Sequence, residues 1–81
     1  MNKDWQIIEV EARFDLQGQV TPISLVSEGR RVGLSCGRRW QDQQGLHILV
    51  MGPDDRVLEL LFAPAELQWY CKKLSGDWRV A

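Results

Sequence analysis

The sequence predicts an all-β fold: an antiparallel meander of five to six strands curled into a small barrel or half-barrel. Three observations predict it. Leu46 to Phe62 reads LHILVMGPDDRVLELLF, two apolar runs around the turn signal Gly52-Pro53-Asp54-Asp55. Trp5 to Phe14 alternates, with Ile8, Val10, Ala12 and Phe14 on one side and Glu9, Glu11 and Arg13 on the other, the period of a half-solvated strand. Turn signals at Gln17-Gly18, Glu28-Gly29 and Gln41 to Gly45 divide the remainder into strand-length pieces.

The run from Leu46 to Phe62 is the centre of the prediction. Pro53 sets φ for the second turn position, and Asp54 and Asp55 tolerate the bridge and left-handed conformations that close a short hairpin. A three-residue loop, Pro53-Asp54-Asp55, sets Val50 opposite Leu58, Ile48 opposite Leu60 and Leu46 opposite Phe62. On the other face Met51 meets Val57, Leu49 meets Glu59, and His47 meets Leu61. Both faces are largely apolar, so the second face also needs a cover. That cover is either the C-terminal segment with Trp69, Tyr70 and Trp78 or a second copy of the chain.

Length and composition set the frame. Eighty-one residues hold one domain, and a chain this short buries only roughly 60 to 65% of its unfolded surface. A hydrophobic content of 44% with four tryptophans argues for an ordered chain and against disorder. A net charge of −1 supplies no global pull toward nucleic acid or anionic membrane. The sequence has neither an export leader nor an apolar run long enough to span a bilayer. The expectation is therefore a cytoplasmic protein with no membrane partner, and with Cys36 and Cys71 as reduced, half-buried thiols.

The elements follow in order. Met1 to Asp4 reads as a loose terminus. Gln17-Gly18 as a two-residue turn sets Phe14 opposite Thr21, Ala12 opposite Ile23 and Val10 opposite Leu25. The strand Val20 to Val26 contains Pro22, which belongs at an outward-facing position or a bulge because it lacks an N–H. With Glu28-Gly29 as the next turn, Leu25 faces Val32 and Ile23 faces Leu34, although glutamate suits a positive φ poorly and a longer turn is the alternative. The third strand, about Arg31 to Trp40, points Val32, Leu34 and Cys36 inward. Gly33, Ser35 and Gly37 on its reverse face mark a bend that lets the sheet curl. After Phe62, Gln68 to Leu74 reads as a strand or as a helix opened by Pro64, with Leu67, Tyr70, Cys71 and Leu74 at helical spacing. Ser75-Gly76-Asp77 is a turn, and Trp78-Arg79-Val80 a short last strand.

Two segments carry a family likeness. ELLFAPAELQWYCKK resembles the C-terminal hairpin of a family of small, uncharacterised bacterial all-β domains. PISLVSEGRRVGLSCGRRWQ is similar to that family's Gly-Arg-Arg hairpin followed by an Arg-Trp pair, here Gly29-Arg30-Arg31 and Arg39-Trp40. Together they cover about two thirds of the chain. The resemblance implies a β-rich fold and the strand form of Gln68 to Leu74. It brings no catalytic residues, and Gly33, Ser35 and Cys36 stand where related sequences often carry aromatics.

Candidate chemistry is sparse. His47 is the one histidine; diagonal to Glu59, it could form an acid–base pair, or be a sheet histidine whose tautomer the carboxylate sets. No serine or cysteine motif accompanies it, so a catalytic role is not expected. His47, Cys36, Cys71 and Glu59 lack metal-ligand spacing, and neither a metal nor another cofactor is expected. Arg30, Arg31, Arg38 and Arg39 bracket the third strand and Trp40 follows, which is the candidate binding set. Such residues serve single-stranded nucleic acid, or they solubilise strand ends and pair with carboxylates such as Glu9, Glu11 and Asp42. The leading expectation is a non-catalytic binding or protein-interaction module, with a nucleic-acid-binding accessory domain as the alternative. Monomer and homodimer are expected about equally.

Overall fold

The computed structural model describes residues 5–73. The chain forms β1 (Gln6–Ile7), β2 (Glu9–Phe14), β3 (Val20–Ser27), β4 (Arg30–Gly33), β5 (Ser35–Gln41), β6 (Leu46–Met51), a 3-10 turn (Pro53–Asp55), β7 (Val57–Ala63) and β8 (Gln68–Lys73). These make a five-stranded sheet in the order β1-β8-β7-β6-β5 and a three-stranded sheet in the order β2-β3-β4. Every pairing is antiparallel. β1 and β2 are one stretch broken at Ile8, and β4 and β5 are one stretch broken at Leu34. Each bent stretch passes from one sheet to the other, so six long strands form a meander folded into a half-barrel. At one corner Ile8 N donates to Trp69 O, and at the other Leu34 N donates to Ile23 O.

The central hairpin has the predicted register throughout: Leu46 opposite Phe62, Ile48 opposite Leu60, Val50 opposite Leu58, and His47 opposite Leu61. Its loop spans Gly52 to Arg56, closed by Gly52 N donating to Arg56 O, with Asp55 in the left-handed region at φ 58°. The core lies between the sheets. Val20 and Leu25 come from one side, and Ile48, Val50, Leu60, Trp69 and Cys71 from the other. Ile48 and Leu60 are 0% exposed, and burying each contributes about 1.5–3 kcal/mol. On the outer face Leu61, Ala63 and Tyr70 form a second cluster closed by Trp5. Thus Trp5 helps cover the second face of the hairpin, whereas Trp69 faces the core.

Three expectations change. Val10 does pair with Leu25, but Ala12 pairs with Pro22 and Phe14 with Val20. An extra residue, Ile23, enters β3 between Ser24 and Pro22, so Pro22 sits beside a bulge and the register slips by one. The turn is correspondingly longer: Asp15 N donates to Gln19 O, and Asp15 Oδ1 accepts from Gln17 N and Gln19 N. The thiols are unequal, Cys36 exposed and Cys71 buried. The third strand is also not continuous. It breaks at Leu34 and carries a bulge between Cys36 and Arg39, the bend that its glycines announced. Glu28-Gly29 is a two-residue turn with both residues at positive φ, 53° and 77°. Gln68–Lys73 is a strand. Residues 1–4 and the Ser75-Gly76-Asp77 and Trp78-Arg79-Val80 elements lie outside the described residues.

Candidate functional site

The five predicted binding residues separate into two groups. Arg30 and Arg31 sit at the β3–β4 turn, where Arg31 Nη1 lies 3.2 Å from Glu11 Oε1 in an exposed ion pair. Such a pair contributes about 0–1 kcal/mol. Arg39, between Arg38 and Trp40, lies at the other end of β3: Arg31 pairs with Val26, whereas Arg39 Nη1 donates to Val20 O, about 20 Å away along that strand. The four arginines therefore do not form one patch.

The second group is organised by the β5 bulge. Cys36 opposes Val50, yet Arg39 opposes Ile48, so β5 advances three residues while β6 advances two. The extra residue brings Arg39 to the face of Ile48 and Trp40 to the face of His47. Arg39 is half-buried, and its Nη1 donates to Val20 O at 2.8 Å. Cys36 Sγ likewise donates to Pro22 O at 3.3 Å. Side chains of β5 thus bind the carbonyl edge of β3 where no strand ladder runs. Although the Cys36 residue is exposed overall, desolvation of its thiol toward β3 pushes the pKa up, and the nearby Arg39 charge only partly opposes this.

Beside Arg39 the two sheets part. A cleft of about 550 Å³ opens there, walled by Phe14, Val20, Leu46, Phe62 and Pro64, with Arg39 and Trp40 on the β5 side. Phe14, 60% exposed, meets Phe62 edge to face with ring centroids 6.1 Å apart. Sequence reasoning placed Leu46 and Phe62 on a core face and Phe14 on the inner side of its strand. Their position at strand ends, next to the Asp15 and Asp42 turns, was the signal that they rim an opening. A second, more open hollow of about 500 Å³ lies near Ile23, Leu34, Met51 and Pro53.

His47 lies on the outer face of the larger sheet and is 4% exposed. Its Nδ1 is 2.7 Å from Glu59 Oε2, the predicted diagonal pair. Its Nε2 is 2.9 Å from Asp42 Oδ2 but out of line for a hydrogen bond. The ring stacks on Trp40, with centroids 5.1 Å apart and planes 4° apart, and meets Trp5 edge-on at 6.1 Å. Arg38 lies over Trp40 and Lys72 over Trp5, each 5.7 Å from the ring centroid. Asp42 also holds the β5–β6 loop, its Oδ1 accepting from Gln44 N at 2.8 Å. These contacts hold the Asp42 carboxyl below the usual range, the His47 contact most strongly. Sequence reasoning missed Asp42 and Trp5 as partners of His47, since neither neighbours it in a strand register.

Among the described residues, no group of three or more His, Cys, Asp or Glu side chains is placed to hold a metal ion. No helix among them is long and apolar enough to cross a membrane. The class that the fold and site define is a small antiparallel β half-barrel with an apolar cleft between its sheets. No protein-family model, curated protein or solved structure matches the chain.

Proposed function

We propose that the chain is a non-catalytic, cytoplasmic binding module that receives an apolar segment of a partner protein in the cleft between its sheets. The cleft carries this reading. Phe14, Leu46 and Phe62 leave apolar surface facing water at one end of the molecule, in an opening of the size that ligand sites have. An absence of catalysis accords with His47, whose ring is packed against Trp5 and Trp40. The unpaired cysteines suit a reducing compartment. Membership of the family of small bacterial all-β domains belongs to the same proposal, and the strand Gln68–Lys73 supports it.

The test uses the neutral apolar fluorophore N-phenyl-1-naphthylamine. A saturable rise in its emission is expected, weakened by Phe14→Ser, a substitution at an exposed position. No saturable binding would refute the reading.

A specific observation favours one second reading. Arg38 lies over the indole of Trp40 on the His47 face of the larger sheet, the combination of cation and ring that single strands use. Titration of labelled single-stranded DNA and RNA at low salt decides it, because phosphate contacts strengthen as salt falls. No binding at low salt ends that reading. A second copy of the chain is the partner to examine first, and sedimentation across concentrations separates monomer from homodimer.

A further inference from the structure

We infer that the partner segment is the free C-terminal end of a peptide with an apolar last side chain, its carboxylate held by Arg39. This rests on reading the cleft as the binding site, and it adds the ligand's charge and the residue that reads it. Arg39 is half-buried in the cleft wall, and the hydrogen bond from Nη1 to Val20 O holds its guanidinium against β3. Among the described residues no carboxylate lies within ion-pair distance of it; the pairs present are Arg31–Glu11, His47–Asp42 and His47–Glu59. The two carboxylates nearest in sequence to the cleft residues are engaged elsewhere. Asp15 caps the β2–β3 turn, and Asp42 holds its own loop and contacts His47.

A guanidinium drawn partly out of water without an anion is unfavourable. Its remaining Nε and Nη2 edge offers two parallel donors of the geometry a carboxylate accepts. The opposite walls, Phe14, Leu46 and Phe62, suit an aliphatic or aromatic side chain. A C-terminal residue presents both groups from one Cα, and capture of a terminal carboxylate is a known mode of peptide recognition. A nucleic-acid phosphate would meet the arginine but leave the apolar walls unfilled.

The experiment titrates the full chain with acetyl-Gly-Ser-Leu as the free acid and as the C-terminal amide. Amide and side-chain NMR shifts are followed, with displacement of N-phenyl-1-naphthylamine as a second readout. The acid is expected to shift Arg39, Trp40 and Leu46 and to bind at least about tenfold more tightly than the amide. Arg39→Gln is expected to reduce the acid to the level of the amide, and Arg39→Lys to retain part of the difference. The comparison of acid with amide uses the unsubstituted chain, so it stands even if a variant fails to fold. Equal binding of the two peptides, or fluorophore binding that neither displaces, overturns the inference and leaves the cleft reading intact. Displacement by oligo-dT in preference to the acid also overturns it. Failure of the fluorophore itself to bind overturns both.

Discussion

Both ring nitrogens of His47 lie close to carboxylates, Glu59 at 2.7 Å and Asp42 at 2.9 Å, under the faces and edges of two indoles. Removing the ring would leave the half-buried Glu59 without its hydrogen bond and open a void between Trp5 and Trp40. His47→Ala is therefore expected to lose about 2–4 kcal/mol, read from urea unfolding; a loss near zero would refute the packed arrangement. Asp42 makes a separate prediction about pH. Its carboxyl is held below the usual range, first by His47 and then by the Gln44 N–H. A depressed carboxyl contributes stability that is fully present above the unfolded value of about 4. That stability is lost as pH falls through the folded value. Asp42→Asn should thus flatten the acid limb of stability against pH, measured as urea midpoints at stepped pH. Identical acid limbs in the two proteins would contradict the assignment.

At the scale of elements, two turns test how the backbone is held. Gly45 has φ 144°, and a Cβ there would stand 2.1 Å from Phe62 O, so neither rotamer choice nor a flexible neighbour can relieve it. Gly45→Ala is expected to cost more than about 3 kcal/mol. Gly18→Ala, at φ 81° with nothing within 4 Å, should cost only about 1 kcal/mol. Equal losses by thermal or urea unfolding would show that β6 and β7 do not close over Gly45 as described. Glu28, at φ 53° in the β3–β4 turn, occupies a position that Asn fills with less strain. Glu28→Asn should therefore stabilise by about 0.5–1 kcal/mol. The elements also show what was legible beforehand. The β6–β7 register could be read from the sequence because Pro53-Asp54-Asp55 announces a three-residue loop, and in a hairpin the loop length sets the register. The β2–β3 register could not, because Pro22 allows either an outward-facing position or a bulge, and only the structure places the extra residue at Ile23. The alternation of β2 is the same in either case.

Over the described residues the molecule is a meander bent twice, at Ile8 and Leu34, so that one set of strands supplies two facing sheets. Its core is small, and Leu60, 0% exposed at the centre of the larger sheet, should be costly to truncate: Leu60→Ala is expected to lose about 2–5 kcal/mol. The placement of the candidate site was legible only in part. Arg38, Arg39 and Trp40 stood out as a basic and aromatic cluster; Arg39 and Trp40 border the cleft, while Arg38 lies over the Trp40 ring. Arg30 and Arg31 shared that composition but not that place, because they pair with the Val26–Ser27 end of β3 while Arg39 reaches Val20 at its other end. Phe14 and Phe62 looked like core residues, since only the parting of the sheets makes their strand ends an opening. The measurement that tests the central claim most directly is an NMR titration with benzyl alcohol, a small neutral aromatic probe. Saturable shifts confined to Phe14, Val20, Arg39, Trp40, Leu46 and Phe62 are predicted. Shifts centred on the Arg30–Arg31 turn or on the hollow near Met51, or no saturable shift at all, would contradict it.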